Sequence, residues 1–552
     1  MKFKPDWKIA LFLFIIALAV FLRVYHFSDW LFFKMDQARD ASTIQQAFEF
    51  GPGWLPLLGP KAGGTELNLG PAFYYFQYIS AVLFQNANPA TLAFPDLLFG
   101  ILSIPLFYFF LRKYFSRDWS MVLASLYAVC FLGIQYSRFS WNPNGLVFFN
   151  LLFFLSLLNV FDEKIKYRLR WIISAGVSFA VSTQLHFLSF LTLPVITLVF
   201  IALNWKEARK VLNWKHAALF ISIVAVVYLP VILNEIVSKG ENTTEFIKAV
   251  REKPSAHSFL KNVNRDLRYW GQNWFLILTS WISRKGGTNG MILAWLGAII
   301  PALFIGFNFF RREENRVKKK FILITLLWFI IYLLAYIPIA YQIRPRFFLP
   351  LLSLPFIYIG YTALFFWEKK KVYWKIIVAA GLLIIFFGNI AGTFAWFKEI
   401  EGAQKKGIYP WRTIILKAKD GIVLWHLEKA ADYMQSNCAG NKIYYDVSSE
   451  YKRPVKYLLG LRGIDAEPIG SLESGNRESC AYDLKLTRSK NKSPGKELEA
   501  EFQAGEAEKI GALSVYKLNV REEFFGQALS THKKGSEENE KTNRIFWKDI
   551  VR

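Results

Sequence analysis

Residues 376–397 read IIVAAGLLIIFFGNIAGTFAWF, an apolar run that contains no charged side chain. A helix needs roughly 20 mostly apolar residues to cross a bilayer, so this run predicts a transmembrane helix. Similar runs recur upstream, in blocks that are too continuous for the one-sided pattern of a soluble helix. They lie at 119–136, 145–161, 216–233, 291–310 and 321–340. The sequence therefore predicts an all-α polytopic membrane bundle.

The composition agrees with a membrane protein. The 552 residues are 53% hydrophobic and 17% aromatic, and the formal net charge is +25. A charge of this size is also found in proteins that bind nucleic acids, but in a polytopic protein it is typical of basic cytoplasmic loops. No nucleic-acid partner is therefore predicted, and the bilayer is the expected environment.

Clusters of lysine and arginine between the predicted spans indicate which loops face the cytoplasm. If every cluster between spans is cytoplasmic, the positive-inside rule holds throughout, provided that 71–85 lies on the outer interface and does not cross. This predicts about eleven spans. They are placed at 9–27, 93–111, 119–136, 145–161, 171–185, 188–204, 216–233, 291–310, 321–340, 347–367 and 376–397. The predicted outer segments are 26–92, 137–144, 234–290, 341–346 and the chain after about 398.

The character of the sequence changes after residue 400, which divides a membrane domain (1–400) from a second domain (401–552). A helix-like stretch at 424–435 and strand-like stretches at 442–447, 481–486 and 513–518 predict a small extracytoplasmic α/β domain. A polar tail near 530–545 is predicted to be disordered. Cys438 and Cys480 both lie in this domain, and the sequence alone leaves open whether they pair.

The predicted outer segments carry polar residues that can converge on one cavity. A carboxylate-rich motif, Asp36-Gln37-Ala38-Arg39-Asp40, follows the first span. Carboxylates are costly beside a bilayer unless they are functional or paired, so Asp36 is the leading catalytic candidate. The substrate-binding candidates, drawn from all outer segments, are Arg39, Asp40, Glu66, Arg138, Asn142, His186, Arg344 and Arg346.

These residue types suit the transfer of a sugar from a lipid-linked phosphate. A carboxylate accepts the proton of an attacking hydroxyl, or orients that hydroxyl. Arginine engages two phosphate oxygens together and stabilises the charge on a departing phosphate. Because that leaving group is already an anion, no general acid is required.

The order of the motifs resembles the multi-spanning lipid-phosphosugar-dependent glycosyltransferases of the C superfamily (GT-C). This group includes the protein O-mannosyltransferases and the lipid A aminoarabinose transferase. The resemblance covers about residues 1–400. The motifs that carry it lie at 36–41, 57–60, 70–75, 137–144, 184–186 and 344–350.

The resemblance implies an inverting glycosyltransferase in the cell membrane. Its donor would be a polyprenyl-phosphate sugar, and its acceptor a hydroxyl of a lipid, glycan or protein at the extracytoplasmic face. By position, Asp36 corresponds to the catalytic carboxylate and Arg39 to a residue near the donor phosphate. Many members of the family have Asp-Glu where this chain has Asp36-Gln37. A divalent metal is therefore not indicated, and no cofactor is predicted.

Each candidate also has a purely structural explanation. Asp36 and Asp40 would cap a helix that begins near Gln37, an alternative that is preferred for Asp40. Arg39 would pair with a carboxylate on the same helix face. The remaining alternatives are interfacial anchors for Arg138 and Arg344, a hydrogen-bonded helix end for His186 and simple solvation for Glu66.

Three other functions remain open at this stage. A transporter or flippase would account for the helices, although no internal repeat is visible and the charged residues cluster at the outer boundary. A polysaccharide ligase or polymerase that uses a lipid-diphosphate glycan would also expose arginines. A non-enzymatic scaffold would simply present the C-terminal domain. The segment 234–290 is interpreted as a mobile cover over the cavity.

Overall fold

The computed structural model describes most of the chain as a helical bundle followed by a small mixed sheet. The described residues are 7–63, 65–251, 258–282, 292, 294–407, 411–415, 420–438, 442–472, 480–487, 495, 498–524 and 544–550.

The helices are numbered here in chain order. The first seven are α1 (Trp7–Val24), α2 (Met35–Phe50), α3 (Ala72–Phe84), α4 (Pro89–Leu111), α5 (Arg117–Ala128), α6 (Phe131–Tyr136) and α7 (Leu146–Val160). The next seven are α8 (Arg168–Leu185), α9 (Phe187–Leu203), α10 (Trp205–Val211), α11 (Trp214–Val227), α12 (Leu229–Val237), α13 (Glu241–Arg251) and α14 (Phe259–Thr279). The last seven are α15 (Ile300–Arg312), α16 (Arg316–Tyr336), α17 (Leu354–Trp367), α18 (Val372–Lys406), α19 (Leu424–Ser436), α20 (Ser449–Gly460) and α21 (Trp547–Ile550).

Each of the eleven predicted spans contains a described helix, so the predicted helical bundle is confirmed, whereas the number of spans stays a prediction. Among the described residues, five continuous helices are long and apolar enough to cross a bilayer by themselves. Three bent pairs raise that number to eight. The chain is therefore an integral membrane protein.

Several predicted spans are interrupted helices. The predicted span 216–233 is the pair α11 and α12, which meet at an angle of 64°. The break precedes Pro230, which lacks the amide hydrogen that would continue the helix. The predicted span 119–136 is likewise divided into α5 and α6. Apolar composition alone does not reveal such breaks.

Two further helices lie in the first predicted outer segment. Helix α3 has 13 residues, which is too short to cross a bilayer and agrees with the prediction of an interfacial helix at 71–85. Helix α2 carries the carboxylate-rich motif, and it is less apolar than the membrane-spanning helices. Its alanines are buried against the rest of the protein. The two helices pack against each other.

The C-terminal domain is built on a five-stranded sheet. Its strands are β1 (Lys442–Asp446), β2 (Asp465–Pro468), β3 (Cys480–Leu486), β4 (Phe502–Ile510) and β5 (Leu513–Val520). The order across the sheet is β2-β1-β3-β5-β4, in which the β2-β1-β3 pairs are parallel and the β3-β5-β4 pairs are antiparallel. The predicted small α/β domain is therefore confirmed. Most of the tail predicted at 530–545 lies outside the described residues.

A disulfide bond joins Cys438 to Cys480 and closes the question that the sequence leaves open. The bond links the end of α19 to the start of β3 across a separation of 42 residues. Cys130 is the remaining cysteine, and it is buried in the helical bundle as a free thiol.

The C-terminal domain packs directly on the first outer segment. The backbone amides of Leu424 and Trp425 donate to the carbonyls of Leu31 (2.8 Å) and Asp29 (3.1 Å). Tyr457 donates from its hydroxyl to the carbonyl of Ala87 at 2.6 Å. These bonds attach the C-terminal domain to the first predicted outer segment.

Candidate active site

Helix α2 presents its charged residues on one face. The helix begins at Met35, and Lys34 is the residue that caps it. Asp40 is thus an interior residue of the helix, and the preferred alternative that it caps a helix starting near Gln37 is wrong. Asp36 lies in the first turn, where the helix dipole stabilises a negative charge.

Arg39 connects the two carboxylates. Its Nε and Nη2 lie 2.9 and 2.8 Å from Oδ1 of Asp40, and its Nη1 lies 3.3 Å from Oδ1 of Asp36. The hydroxyl of Tyr74 donates to the same Asp40 oxygen at 2.9 Å. Burial raises the pKa of Asp40, and Arg39 opposes this shift. Asp40 is 1% exposed, whereas the Asp36 side chain is 42% exposed. Of the two carboxylates, only Asp36 is accessible to a substrate.

Arg346, from the C-terminal part of the membrane domain's sequence, contributes a further cation to the site. Its guanidinium lies 4.7 Å from the ring centre of Trp141 and 5.5 Å from that of Phe347, which hold it by cation–π contact. It interacts electrostatically with Asp36 and Tyr136. Within the described part of the chain, no carboxylate lies in ion-pair distance of it and no hydrogen bond of its guanidinium is seen. A half-buried cation in this state is suited to bind an anion.

His186 lies beside Arg346. Its Nδ1 accepts a hydrogen bond from the amide of Leu188 at 3.2 Å, and its ring meets Phe347 edge to face. Burial, assisted by Arg346, lowers the pKa of His186 to about 3. The imidazole is therefore neutral at physiological pH. Asn142 donates to the carbonyl of Leu185 at 2.7 Å, which positions this helix end.

A short hairpin formed by residues 59–70 explains the two Gly-Pro motifs. The amide of Gly59 donates to the carbonyl of Leu69 at 2.8 Å, and the amide of Leu69 donates to the carbonyl of Pro60 at 3.0 Å. A Cβ added at Gly63 would lie 3.3 Å from Nη2 of Arg346, so the end of the hairpin touches the site. Gln184 holds the base of the hairpin, because its Oε1 accepts from the amide of Ala72 at 3.2 Å.

We predict that Gly59→Ala destabilises the protein by about 1–3 kcal/mol or more. A Cβ at Gly59 would lie 2.1 Å from the carbonyl oxygen of Gly70, and backbone cannot move aside as a flexible side chain can. Thermal unfolding in detergent measures the loss. Gly460→Ala is the matched control, because a Cβ there meets nothing within 4 Å and should leave stability unchanged or slightly higher. Equal stability of the two variants would contradict the hairpin packing described here.

Arg138 is placed apart from this cluster. It is 2% exposed, and its guanidinium donates to the carbonyls of Leu22, Arg23, Tyr25 and His26 at 2.6–3.3 Å. It therefore binds carbonyls at and beyond the C-terminal end of α1. The alternative of an interfacial anchor does not describe this buried arginine, which holds a helix end inside the protein, and a role for Arg138 in phosphate binding stays a prediction.

Two other candidates lie at the margin of the site. The Glu66 side chain is 69% exposed and pairs with Lys61 at 2.7 Å. Arg344 is exposed, two residues from the half-buried Arg346. The segment interpreted as a cover is largely helical, and Asn242 on α13 exchanges two hydrogen bonds with the backbone of Asn68 (2.8 and 3.1 Å). Its mobility remains a prediction.

The structure adds residues that the sequence did not single out. Tyr74 is buried and bonded to Asp40. Trp141 is the platform for Arg346, and its amide donates to the buried Asp96 at 3.0 Å. Arg544 binds Thr43 of α2 from the other end of the chain. The motifs at 70–75 and 137–144 pointed to the first two, but no local signal marks Arg544.

No group of three or more His, Cys, Asp or Glu side chains is placed to hold a metal ion within the residues that the structure describes. Asp36 and Asp40 are bridged by Arg39, so the two carboxylates do not converge on an open position. That metal is dispensable remains a prediction.

The fold is that of the GT-C glycosyltransferases. ArnT from Cupriavidus metallidurans bound to undecaprenyl phosphate matches with a TM-score of 0.56 at 11% identity, over 92% of this chain and 97% of that one. The archaeal oligosaccharyltransferase AglB from Archaeoglobus fulgidus, in complex with an inhibitory peptide and a dolichol-phosphate, matches with a TM-score of 0.52 at 12% identity. That match covers 88% of this chain and 70% of AglB. The predicted GT-C architecture is confirmed.

A protein-family profile also matches part of the membrane domain. The profile described as dolichyl-phosphate-mannose-protein mannosyltransferase matches residues 68–233, which include the 70–75, 137–144 and 184–186 motifs. No curated protein matches the sequence. The predicted likeness to the protein mannosyltransferases and the aminoarabinose transferase is thus confirmed, and identities of 11–12% show the fold alone.

Proposed function

We propose that this protein is an inverting glycosyltransferase that moves a sugar from a polyprenyl-phosphate donor to an acceptor hydroxyl. The observation that carries the proposal is that an accessible carboxylate, Asp36, interacts electrostatically with a half-buried guanidinium, Arg346, for which no carboxylate among the described residues lies within ion-pair distance. A base near a cation that can bind a phosphate is the minimum that this reaction requires.

In the proposed step, the acceptor oxygen attacks the anomeric carbon while the bond from that carbon to the phosphate oxygen breaks. The hydroxyl proton passes to Asp36, and the bonding electrons leave with the polyprenyl phosphate. Arg346 stabilises the phosphate as its charge develops, with Arg39 and the exposed Arg344 as further candidates. One in-line displacement inverts the anomeric centre.

Two findings support a lipid phosphate as the donor's carrier. The matched ArnT structure is bound to undecaprenyl phosphate, and the matched AglB structure is in complex with a dolichol-phosphate. In this chain, the neutral His186 and the rings of Trp141 and Phe347 surround Arg346 with weakly polar groups. Such surroundings strengthen the attraction between a guanidinium and a phosphate.

We further propose that the site faces the outside of the cell membrane. The site lies against the domain that contains the Cys438–Cys480 bond. Disulfide bonds persist in oxidising, extracytoplasmic compartments. The positive-inside distribution of the basic loops supports the same orientation.

Mass spectrometry of lipids extracted from the purified protein tests the donor. We expect a polyprenyl phosphate that carries a single sugar, and transfer of that sugar to an acceptor with inversion at the anomeric carbon. Recovery of a lipid-diphosphate glycan would favour the ligase or polymerase alternative. Vectorial movement of a solute without any bond formation would favour a transporter.

A further inference from the structure

An aspartate lies inside the membrane domain, in surroundings that are almost entirely apolar. Asp96 belongs to α4 and to the predicted span 93–111, and it is 4% exposed. It shares a cavity of about 10 Å³ with Gln77 of α3, and the other walls of this cavity are apolar. A carboxyl group is costly in such a place, and an ionisable residue within a span is a candidate functional residue. Its contacts indicate which function it serves.

The partner of Asp96 is the loop that contains Trp141. Oδ2 of Asp96 accepts a hydrogen bond from the backbone amide of Trp141 at 3.0 Å. Trp141 immediately precedes the 3₁₀ helix Asn142–Gly145, where a backbone amide has no partner within the helix. Gln77 holds the preceding residue, because its Nε2 donates to Oγ of Ser140 at 2.6 Å. Two side chains from α3 and α4 thus fix positions 140 and 141.

The ring of Trp141 connects this loop to the proposed donor site. The guanidinium of Arg346 lies 4.7 Å from the ring centre, and the other side of the contact is well packed, because the ring lies parallel to that of Tyr136. Asp96 holds the backbone of Trp141, while Arg346 rests on its ring. A cation–π contact requires the ring to stay beneath the cation. A displacement of the loop would therefore carry the platform away from Arg346.

We propose that Asp96, supported by Gln77, is a positioning residue of the donor phosphate site, which holds Arg346 in place by fixing Trp141. The inference rests on the proposed function, in which Arg346 binds the phosphate of the donor. The role requires only a hydrogen-bond acceptor, because Asp96 contacts the amide of Trp141 through one oxygen. An amide oxygen at position 96 should therefore replace the carboxyl group, whereas an apolar side chain should not.

Equilibrium binding of labelled farnesyl phosphate to the purified protein in detergent tests this role without requiring catalysis. We expect Asp96→Leu to raise the dissociation constant about tenfold, the loss expected when a desolvated cation–π contact is broken. Asp96→Asn should bind nearly as tightly as the wild type. Farnesol, which lacks the phosphate, should bind equally well to all three proteins. Trp141→Leu should weaken binding of farnesyl phosphate at least as much, and adding Asp96→Leu to it should cause no further loss.

Ser103→Ala is the matched control, because Ser103 is a buried polar residue about two turns further along α4. Its hydroxyl accepts from Tyr127 at 3.0 Å and has no contact with the loop that contains Trp141. The affinity for farnesyl phosphate should therefore be unchanged. Gln77→Leu removes the second attachment of the loop, and it should weaken binding in the same direction as Asp96→Leu.

Wild-type affinity for farnesyl phosphate in Asp96→Leu, or in Gln77→Leu if Asp96→Leu does not fold, overturns the proposal. An equal loss of farnesol binding, an equal loss in Asp96→Asn, or a loss that adds to that of Trp141→Leu also overturns it. Wild-type affinity in Arg346→Gln would overturn the proposed donor site together with this inference. A loss in Arg346→Gln without a loss in Asp96→Leu overturns this inference alone.

Discussion

Asp36→Asn should lower the rate of sugar transfer by about 10²–10⁴-fold, the usual contribution of a positioned base. The amide has the shape of the carboxylate but does not accept the hydroxyl proton. Arg39 keeps its two close contacts with Asp40, at 2.9 and 2.8 Å, so the helix face around position 36 should remain intact. Single-turnover transfer from a labelled polyprenyl-phosphate sugar measures the effect on chemistry separately from binding.

Glu49→Gln is the matched control for this prediction. Glu49 lies on the same helix and accepts a hydrogen bond from Gln45, but it is outside the cluster formed by Asp36, Arg39 and Asp40. Its variant should transfer sugar at the wild-type rate. Asp36→Asn should still copurify with the donor lipid, because Arg346 is unchanged. Wild-type transfer by Asp36→Asn would remove the catalytic assignment and leave the fold assignment untouched.

The helices of the membrane domain could be predicted from the sequence because each one depends on the composition of its own segment. A continuous apolar run specifies a helix in a bilayer whatever its neighbours are, and each of the eleven predicted runs contains a described helix. By length and composition, at most eight spans are found among the described residues. In the C-terminal domain, the strands that were predicted have mostly apolar or alternating residues. Strands β2 and β4 were not predicted. Asp465–Pro468 is short, polar and ends in proline, and its strand character depends on pairing with β1. Phe502–Ile510 is mostly polar or small in composition, and it pairs with β5.

The site was predictable only where it depends on helical spacing. Asp36 is three residues from Arg39 and four from Asp40, so their shared helix face and the contact of Asp36 with Arg39 follow from the periodicity of α2. The contact between the adjacent residues Arg39 and Asp40 does not follow from this spacing. The approach of Arg346 to Asp36 joins distant parts of the chain, and the sequence suggested it only through the family resemblance. The helix-end role of Arg138 was hidden, because its partners are backbone carbonyls that carry no sequence signal.

Arg346→Gln should have the second large effect, a loss of about 10²–10³-fold in transfer, as found when one donor to a developing oxyanion is removed. It should also abolish copurification of the donor lipid. Asp36 would then lose its electrostatic interaction with Arg346 but keep its contact with Arg39, and the aromatic platform of Trp141 and Phe347 would remain. Arg346→Lys should be intermediate, because lysine keeps the charge but loses the paired donors and much of the stacking.

The arginines differ in exposure, so their variants should differ in how much donor lipid they retain. Arg344 is exposed, so its charge is screened by water, and Arg344→Gln should weaken donor retention less than Arg346→Gln does. Arg312→Gln, an exposed charge at the end of α15, should have no effect. If all three variants retained the donor equally, the lipid phosphate would not be bound by Arg346. The neutral His186 and the rings around this guanidinium would then need another explanation than phosphate binding.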